Sequence, residues 1–392
     1  MKFNLKALPI AISIAMLPAM AIADEQTNDE KIAQLEQQVQ SLQTAQTESL
    51  TERFSFNGFI SAAYVSSDNS AGYNGATSSA DFSEDSKMGF QGTFNISNQT
   101  TAVMQLMMRG SNDWEVEAEW AYLAHSFDNG VKVRGGKLRV PLFMYSDYLD
   151  VGYAQPFARP PSEVYSQVPF SSYTGGDIAY DYELEDSTLT VQAFGGESDV
   201  NEEDEGLDLD LSNVMGLNAS WTDLTWTFRA VYGQAEIDGS VGGGAVAVDN
   251  ETAAFTGLGG SYDNGSWIAV AEWTTVDIDG VLADSESAYL TVGYRINDFT
   301  PYATVAYLKT TDEDEREGIP PLAFAFNEER VAYSLGLRWD AIDNVAVKFD
   351  VTYATDFGDT HGGLSNNGFN PLSGEFTYDD TMVYTVKFDA VF

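Results

Sequence analysis

The chain is 392 residues long and carries 60 acidic residues against 19 basic ones, a formal net charge of −41, with no cysteine. The missing thiols exclude cysteine chemistry and a disulfide-stapled mini-domain. The negative charge repels a phosphate backbone, which excludes a nucleic-acid partner.

The first 23 residues read as a signal peptide. Lys2 and Lys6 precede an apolar stretch, and Ala21-Ile22-Ala23 before Asp24 is a small-residue cleavage site. The stretch is short for a membrane span and contains Pro9 and Pro18. Residues 24–53 are polar and Gln-rich, with Ile32, Leu35, Val39 and Leu42 at the steps of an a/d seam. So short a seam is marginal as a lone helix in water. Two readings stay open: a periplasmic coiled-coil segment completed by neighbouring copies, or a flexible polar spacer.

From 54 to 392 the pattern predicts strands alternating with turns. The first five are expected at 54–66, 86–96, 101–110, 114–127 and 131–140, and a long segment at 141–174 then interrupts the rhythm. Strands resume at 177–184 and continue at 187–196, 209–221, 224–236, 252–262, 266–276, 285–296, 299–309, 329–339, 345–355 and 380–392. In that last strand Met382, Tyr384, Val386, Phe388, Ala390 and Phe392 alternate with the mostly polar Val383, Thr385, Lys387, Asp389 and Val391. A period of two means one apolar and one wet face. The tally is 16 strands, and 14 or 18 are compatible with the same turn signals. Short Asx-rich turns such as Asn129-Gly130 and Asn264-Gly265 interleave with mostly long connections.

Short turns on one rim and long loops on the other is the layout of an outer-membrane barrel. A soluble sandwich, propeller or solenoid would also alternate. No fixed-length repeat is visible, however, and the strands are long for a soluble sheet. Trp114, Trp120, Tyr122, Trp221, Trp226, Trp267, Trp273 and Trp339 near strand ends fit interfacial girdles. The expected fold is therefore all-β: a 16-stranded antiparallel transmembrane barrel over 54–392, in the cell outer membrane, with lipid as its outer partner.

Strand phase assigns charges to a side. Trp114, Val116, Ala118, Trp120 and Tyr122 are expected to face lipid, which turns Glu115, Glu117 and Glu119 into the lumen. Arg109 on the preceding strand, and Lys132 and Arg134 on the following one, face in. Lys137 and Arg139 continue that face if Gly135-Gly136 permits a bulge. Arg229, Arg295, Arg338, Lys348 and Lys387 take the same inward phase, so the interior is expected to be locally basic within an acidic molecule. The segment 141–174 carries Asp147, Asp150, Arg159 and Glu163 among many aromatics and prolines, and is the expected constriction. Opposed lumen charges either select permeants or merely pair to hold register.

Leu138-Arg139-Val140-Pro141-Leu142-Phe143, Tyr148-Leu149-Asp150 and Arg159-Pro160-Pro161-Ser162-Glu163-Val164-Tyr165, together with the Phe392 end, resemble Gram-negative outer-membrane porins. The likeness is to those with an N-terminal periplasmic coiled coil, a group that includes dicarboxylate-type porins. The resemblance implies a homotrimer of 16-stranded barrels, an inward-folded third loop, and assembly through recognition of the terminal aromatic strand.

His125 and His361 are the only histidines, and no zincin, nucleophile-elbow or P-loop motif occurs. His125, beside Ser126, points inward in the same phase. The chain is expected to be no enzyme and to need no cofactor or metal. Its expected function is a water-filled channel for passive diffusion of small hydrophilic solutes and ions. The alternatives are a plugged barrel acting as adhesin or envelope tether, and a channel selective for small organic acids.

Overall fold

The structure, a computed structural model, describes Gln37, Val39 and residues 53–202, 206–316, 320–370 and 375–392. Gln37 and Val39 are helical and exposed. Ile32, Leu35 and Leu42 of the expected seam, and the signal segment, lie outside the described residues.

The strands are β1 (Phe54–Ser67), β2 (Lys87–Asn95), β3 (Thr100–Arg109), β4 (Val116–Ser126), β5 (Val131–Arg139) and β6 (Ser172–Glu183). Next come β7 (Thr188–Glu202), β8 (Leu207–Thr222), β9 (Trp226–Val241), β10 (Val246–Asp263), β11 (Trp267–Ile278) and β12 (Ser285–Tyr294). After β13 (Phe299–Thr310), β14 (Glu329–Ile342) and β15 (Val345–Thr355), a two-residue ribbon of β16 (Phe369–Asn370) and β17 (Glu375–Phe376) precedes β18 (Thr381–Val391). All but the ribbon strands form one closed antiparallel barrel of 16 strands in sequential order.

Closure is made by β1 against β18, with Ala62 opposite Phe388. Gly58 and Phe392 exchange backbone hydrogen bonds at 2.8 and 2.9 Å. The Phe392 ring lies over Gly58, where a Cβ would come within 2.5 Å of it, and leans edge-on to Phe90. The terminal aromatic therefore seals the seam with both its backbone and its ring. A closed ladder leaves no unpaired edge, the condition for a sheet to sit in hydrocarbon.

One face of the wall is apolar and exposed: Phe56, Ile60, Met104, Leu217, Leu258, Leu335 and Phe388 all point away from the lumen. On β18 the alternate set, Thr381, Val383, Thr385, Lys387 and Asp389, is buried. Aromatic clusters at the short-turn rim, Trp226 with Phe228 and Tyr262, Trp267 with Tyr294, and Phe299 with Trp339, form an interfacial belt.

Strand β4 departs from the expected phase. The ladder to β3 slips between Gln105 and Leu106, whose partners are Trp120 and Ala118, leaving Glu119 as the extra residue of a bulge. Trp120 and Tyr122 consequently turn inward rather than to lipid. Trp120 lies opposite buried Gln105, and Tyr122 lies under the Arg134 guanidinium at 5.4 Å. Ala121 and the exposed Leu123 take the outer face. His125, expected inward, shares that outer face and stacks edge-on to Phe127 at 4.5 Å. The ladder through Gly135-Gly136 keeps its register, yet the strand changes phase there, with Gly136 at φ +136°, and Arg139 faces inward to Glu119.

Strands β7 to β10 also run further than expected. The acidic segment after Gly196 and the residues after Glu236 belong to long hairpins whose inner face buries Val200, Leu209, Leu211, Ile237 and Val248.

Candidate functional site

The segment 140–171 between β5 and β6 folds into the barrel. Its first part contains two turns of 3-10 helix, Ser146–Tyr148 and Gly152–Ala154, and a one-turn helix, Ser162–Tyr165, follows. Irregular backbone of this kind leaves carbonyls without ladder partners, and each needs a donor once buried. The wall supplies them. Arg229 on β9 donates to the carbonyls of Pro141 and Phe143, the latter at 2.6 Å. Arg338 on β14 donates to Tyr153 and Gln155 at 2.6 and 2.9 Å. Lys348 on β15 donates to Gly152 and Phe157 at 2.6 and 2.9 Å, and Lys387 on β18 to Ala158 at 3.0 Å.

Acids and phenols complete the attachment. Glu272 on β11 accepts the Met144 N–H at 2.8 Å and the Tyr165 hydroxyl at 2.9 Å. Tyr302 on β13 accepts the Ala158 N–H at 2.9 Å and donates to Asp350 at 2.6 Å. Glu163, fully buried, pairs with Arg330 at 2.8 Å and accepts from Tyr73 at 3.0 Å. Arg159 pairs with Asp85, a residue of the first long loop, at 2.5 Å. Burial opposes ionisation of Asp85, but Arg159, then Lys387, hold its carboxyl down at about 2. Phe143, Tyr145, Phe157 and Val164 join the main apolar cluster, with Phe143 edge-on to Phe255 of the wall.

At the other flank of the loop lies a second charged group. Glu119 at the β4 bulge is 3% exposed, and accepts from Arg139 at 2.7 Å, Arg109 at 2.6 Å and Ser171 at 2.7 Å. Asp150 of the loop bridges the same two arginines at 3.0 and 2.8 Å and reaches Lys87 at 3.0 Å. Burial works against the Asp150 charge, yet Lys87, Arg139 and Arg109 hold its carboxyl well below the usual range. Arg109 also reaches Glu117 at 3.1 Å. Glu117 and Glu119, two residues apart on the inner face, both meet Arg109.

Between this cluster and the loop lies a cavity of about 1060 Å³. Of the charged residues expected to line the passage, Arg109, Glu115, Glu117, Arg139 and Asp150 border it, and Glu119 sits behind them. The others lie elsewhere. Arg134 forms a forked contact with Asp177 on β6, which also accepts from Gln192. Lys132 lies opposite Ser126 and Ala179 near the short-turn rim. Asp147 is exposed in its 3-10 turn. Arg159 and Glu163 are absorbed in the loop attachments. Lys87, Asp85, Tyr73 and Glu272 take part without having been singled out in the sequence. Lys87 and Glu272 carried a signal: Lys87 shares Arg109's inward phase directly across the ladder, and Glu272 alternates with Trp267 and Trp273.

No protein-family model matches the chain, and no curated protein matches it. Solved structures do match. Salmonella typhi OmpF, in complex with daunomycin, superposes with a TM-score of 0.57 at 10% identity, covering 86% of this chain and 97% of that one. A loop L8 deletion mutant of OmpT, an outer membrane protein of Vibrio cholerae, gives 0.56 at 12% identity over 86% and 99%. A triple mutant of Rhodopseudomonas blastica porin gives 0.50 at 16% identity over 86% and 100%. At such identities the likeness is one of fold. A closed 16-stranded antiparallel barrel with an outward apolar band and aromatic belt is the outer-membrane architecture, and this chain is an outer-membrane barrel of porin-like fold.

Proposed function

We propose that the chain forms a water-filled outer-membrane channel through which small hydrophilic solutes and ions diffuse passively. The observation that carries this reading is the cavity of about 1060 Å³ left open between the third loop and the β3–β7 wall, bordered by charged side chains. A loop attached along one side narrows a barrel without filling it. Arg109, Glu115, Glu117, Arg139 and Asp150, backed by Glu119, then shape the constriction, while Arg134 holds the wall and Arg159 and Glu163 hold the loop; Lys132 and Asp147 lie away from the cavity. The same proposal takes 1–23 as a cleaved signal, 24–53 as a periplasmic helical segment, and the assembly as a homotrimer like that named for one form of Vibrio cholerae OmpT. The role is transport without catalysis. The test is conductance of the purified, folded protein in planar bilayers. Discrete current steps are expected. A folded barrel that passes no current would refute the channel and leave the plugged tether as the reading.

A further inference from the structure

Resting on the channel reading, we infer that the passage favours small cations and neutral solutes over inorganic and organic anions. The argument starts from where the wall's positive charges go. Arg229, Arg338, Lys348 and Lys387 face inward, as sequence phase placed them, and from phase alone they would make a basic lumen; Arg330 joins them, whereas Arg295, given the same phase, pairs with Asp263 at 2.5 Å beside the short-turn rim. Apart from Arg295, each is instead engaged under the third loop: four hold its backbone carbonyls and Arg330 holds Glu163. Lys348, Lys387 and Arg330 are 0%, 2% and 3% exposed. None of the five borders the cavity.

The charges on the open side divide into a closed set and a remainder. Lys87, Arg109 and Arg139 are matched by Glu117, Glu119 and Asp150 at contact distance, so that set is neutral. An anion approaching Arg109 or Arg139 would have to displace carboxylates that are part of the chain. What remains around the cavity is Asp113, Glu115 and Asp199, all exposed, against Lys137: three acids to one base, a net of two negative charges. Fixed charge on a narrow wet passage concentrates counter-ions. The chain's overall charge of −41 adds a field of the same sign at the mouth.

The experiment is the reversal potential of the full-length protein in planar bilayers under a KCl gradient. A potassium-to-chloride permeability ratio of several-fold is expected near 0.1 M. It should fall toward one near 1 M, because the Debye length shrinks from about 10 Å to about 3 Å. The triple neutral variant Asp113→Asn, Glu115→Gln, Asp199→Asn should lower the ratio at 0.1 M, and the triple lysine variant should invert it. Asp249→Lys, exposed and away from the cavity, should leave it unchanged. The neutral variants are near-isosteric, so they report even if the lysine variant does not fold. A wild-type ratio at or below one, or neutral variants that conduct with the wild-type ratio, overturns the inference while leaving the channel standing. Absence of any current overturns the channel itself.

Discussion

Lys348→Met tests whether wall cations hold the loop. The ammonium is fully buried, donates to the Gly152 and Phe157 carbonyls, and lies 2.9 Å from Asp389, itself 1% exposed. Methionine matches the apolar stem but lacks the terminal ammonium and offers no donor. A hydrogen bond to a charged group contributes about 1.5–3 kcal/mol, and removing one partner of a buried ion pair costs about 3–5 kcal/mol. These overlap, because one ammonium serves all three contacts, so they do not add. Lys387 lies directly across the ladder from Lys348, and removing one of two opposed like charges returns part of the cost. The expected loss is therefore near the lower end, about 3 kcal/mol, or roughly a hundredfold in the loop's docking equilibrium.

Two readouts separate the contributions. Denaturant unfolding in detergent should show a lowered midpoint, and single-channel records should show added current noise from an undocking loop. Adding Asp389→Asn removes the stranded carboxylate while keeping an acceptor for Ser61, which donates to Asp389 at 2.5 Å. The double variant should recover much of the midpoint but not the quiet current, since the two loop carbonyls still lack a donor. A Lys348→Met protein with the wild-type midpoint and wild-type noise would refute the reasoning.

Gly152→Val should unseat the same part of the loop sterically, because a Cβ there would lie 2.1 Å from the Asp389 carboxylate. Larger unitary conductance is expected, and an unchanged value would count against the close approach. The Asp85–Arg159 pair predicts an acid limit. Its folded carboxyl titrates at about 2, below the ordinary value of 3.8, so the pair stabilises the loop fully above that ordinary value and the contribution is lost as pH falls through about 2. Channel noise should therefore stay low down to about pH 4 and rise below it, and Arg159→Met should remove that dependence.

The strand count and the outward face of β18 were legible because alternation over ten or more residues is a strong signal once repeated around a barrel. The phase of β4 was not. A bulge at Glu119 has no mark in a row of alternating acids, and the aromatic character of Trp120 and Tyr122 pointed to lipid, whereas Tyr122 lies beneath the Arg134 guanidinium and Trp120 lies opposite buried Gln105. The start of β6 was missed by five residues, since Gly175-Gly176 shows no alternation to read. Arg229, Arg338, Lys348 and Lys387 were identifiable as inward by phase, but their partners include backbone carbonyls of an irregular loop, and a carbonyl has no signature in sequence. That is why the interior was expected to be basic.

Loop attachment and charge selection are consequently one problem. The loop's irregular backbone needs donors, and the barrel provides them as arginine and lysine on β9, β14, β15 and β18. Covering those side chains with the loop removes their charge from the passage and leaves the acidic side, β3 to β7, as the wall that a solute meets. An undocked loop reverses this, because Arg338, Lys348 and Lys387 would then face water. Gly152→Val should thus do more than widen the passage: the larger conductance should come with a lower potassium-to-chloride ratio. A wider channel that kept the wild-type ratio would mean that the acidic residues act alone and that the covered cations have no bearing on selectivity.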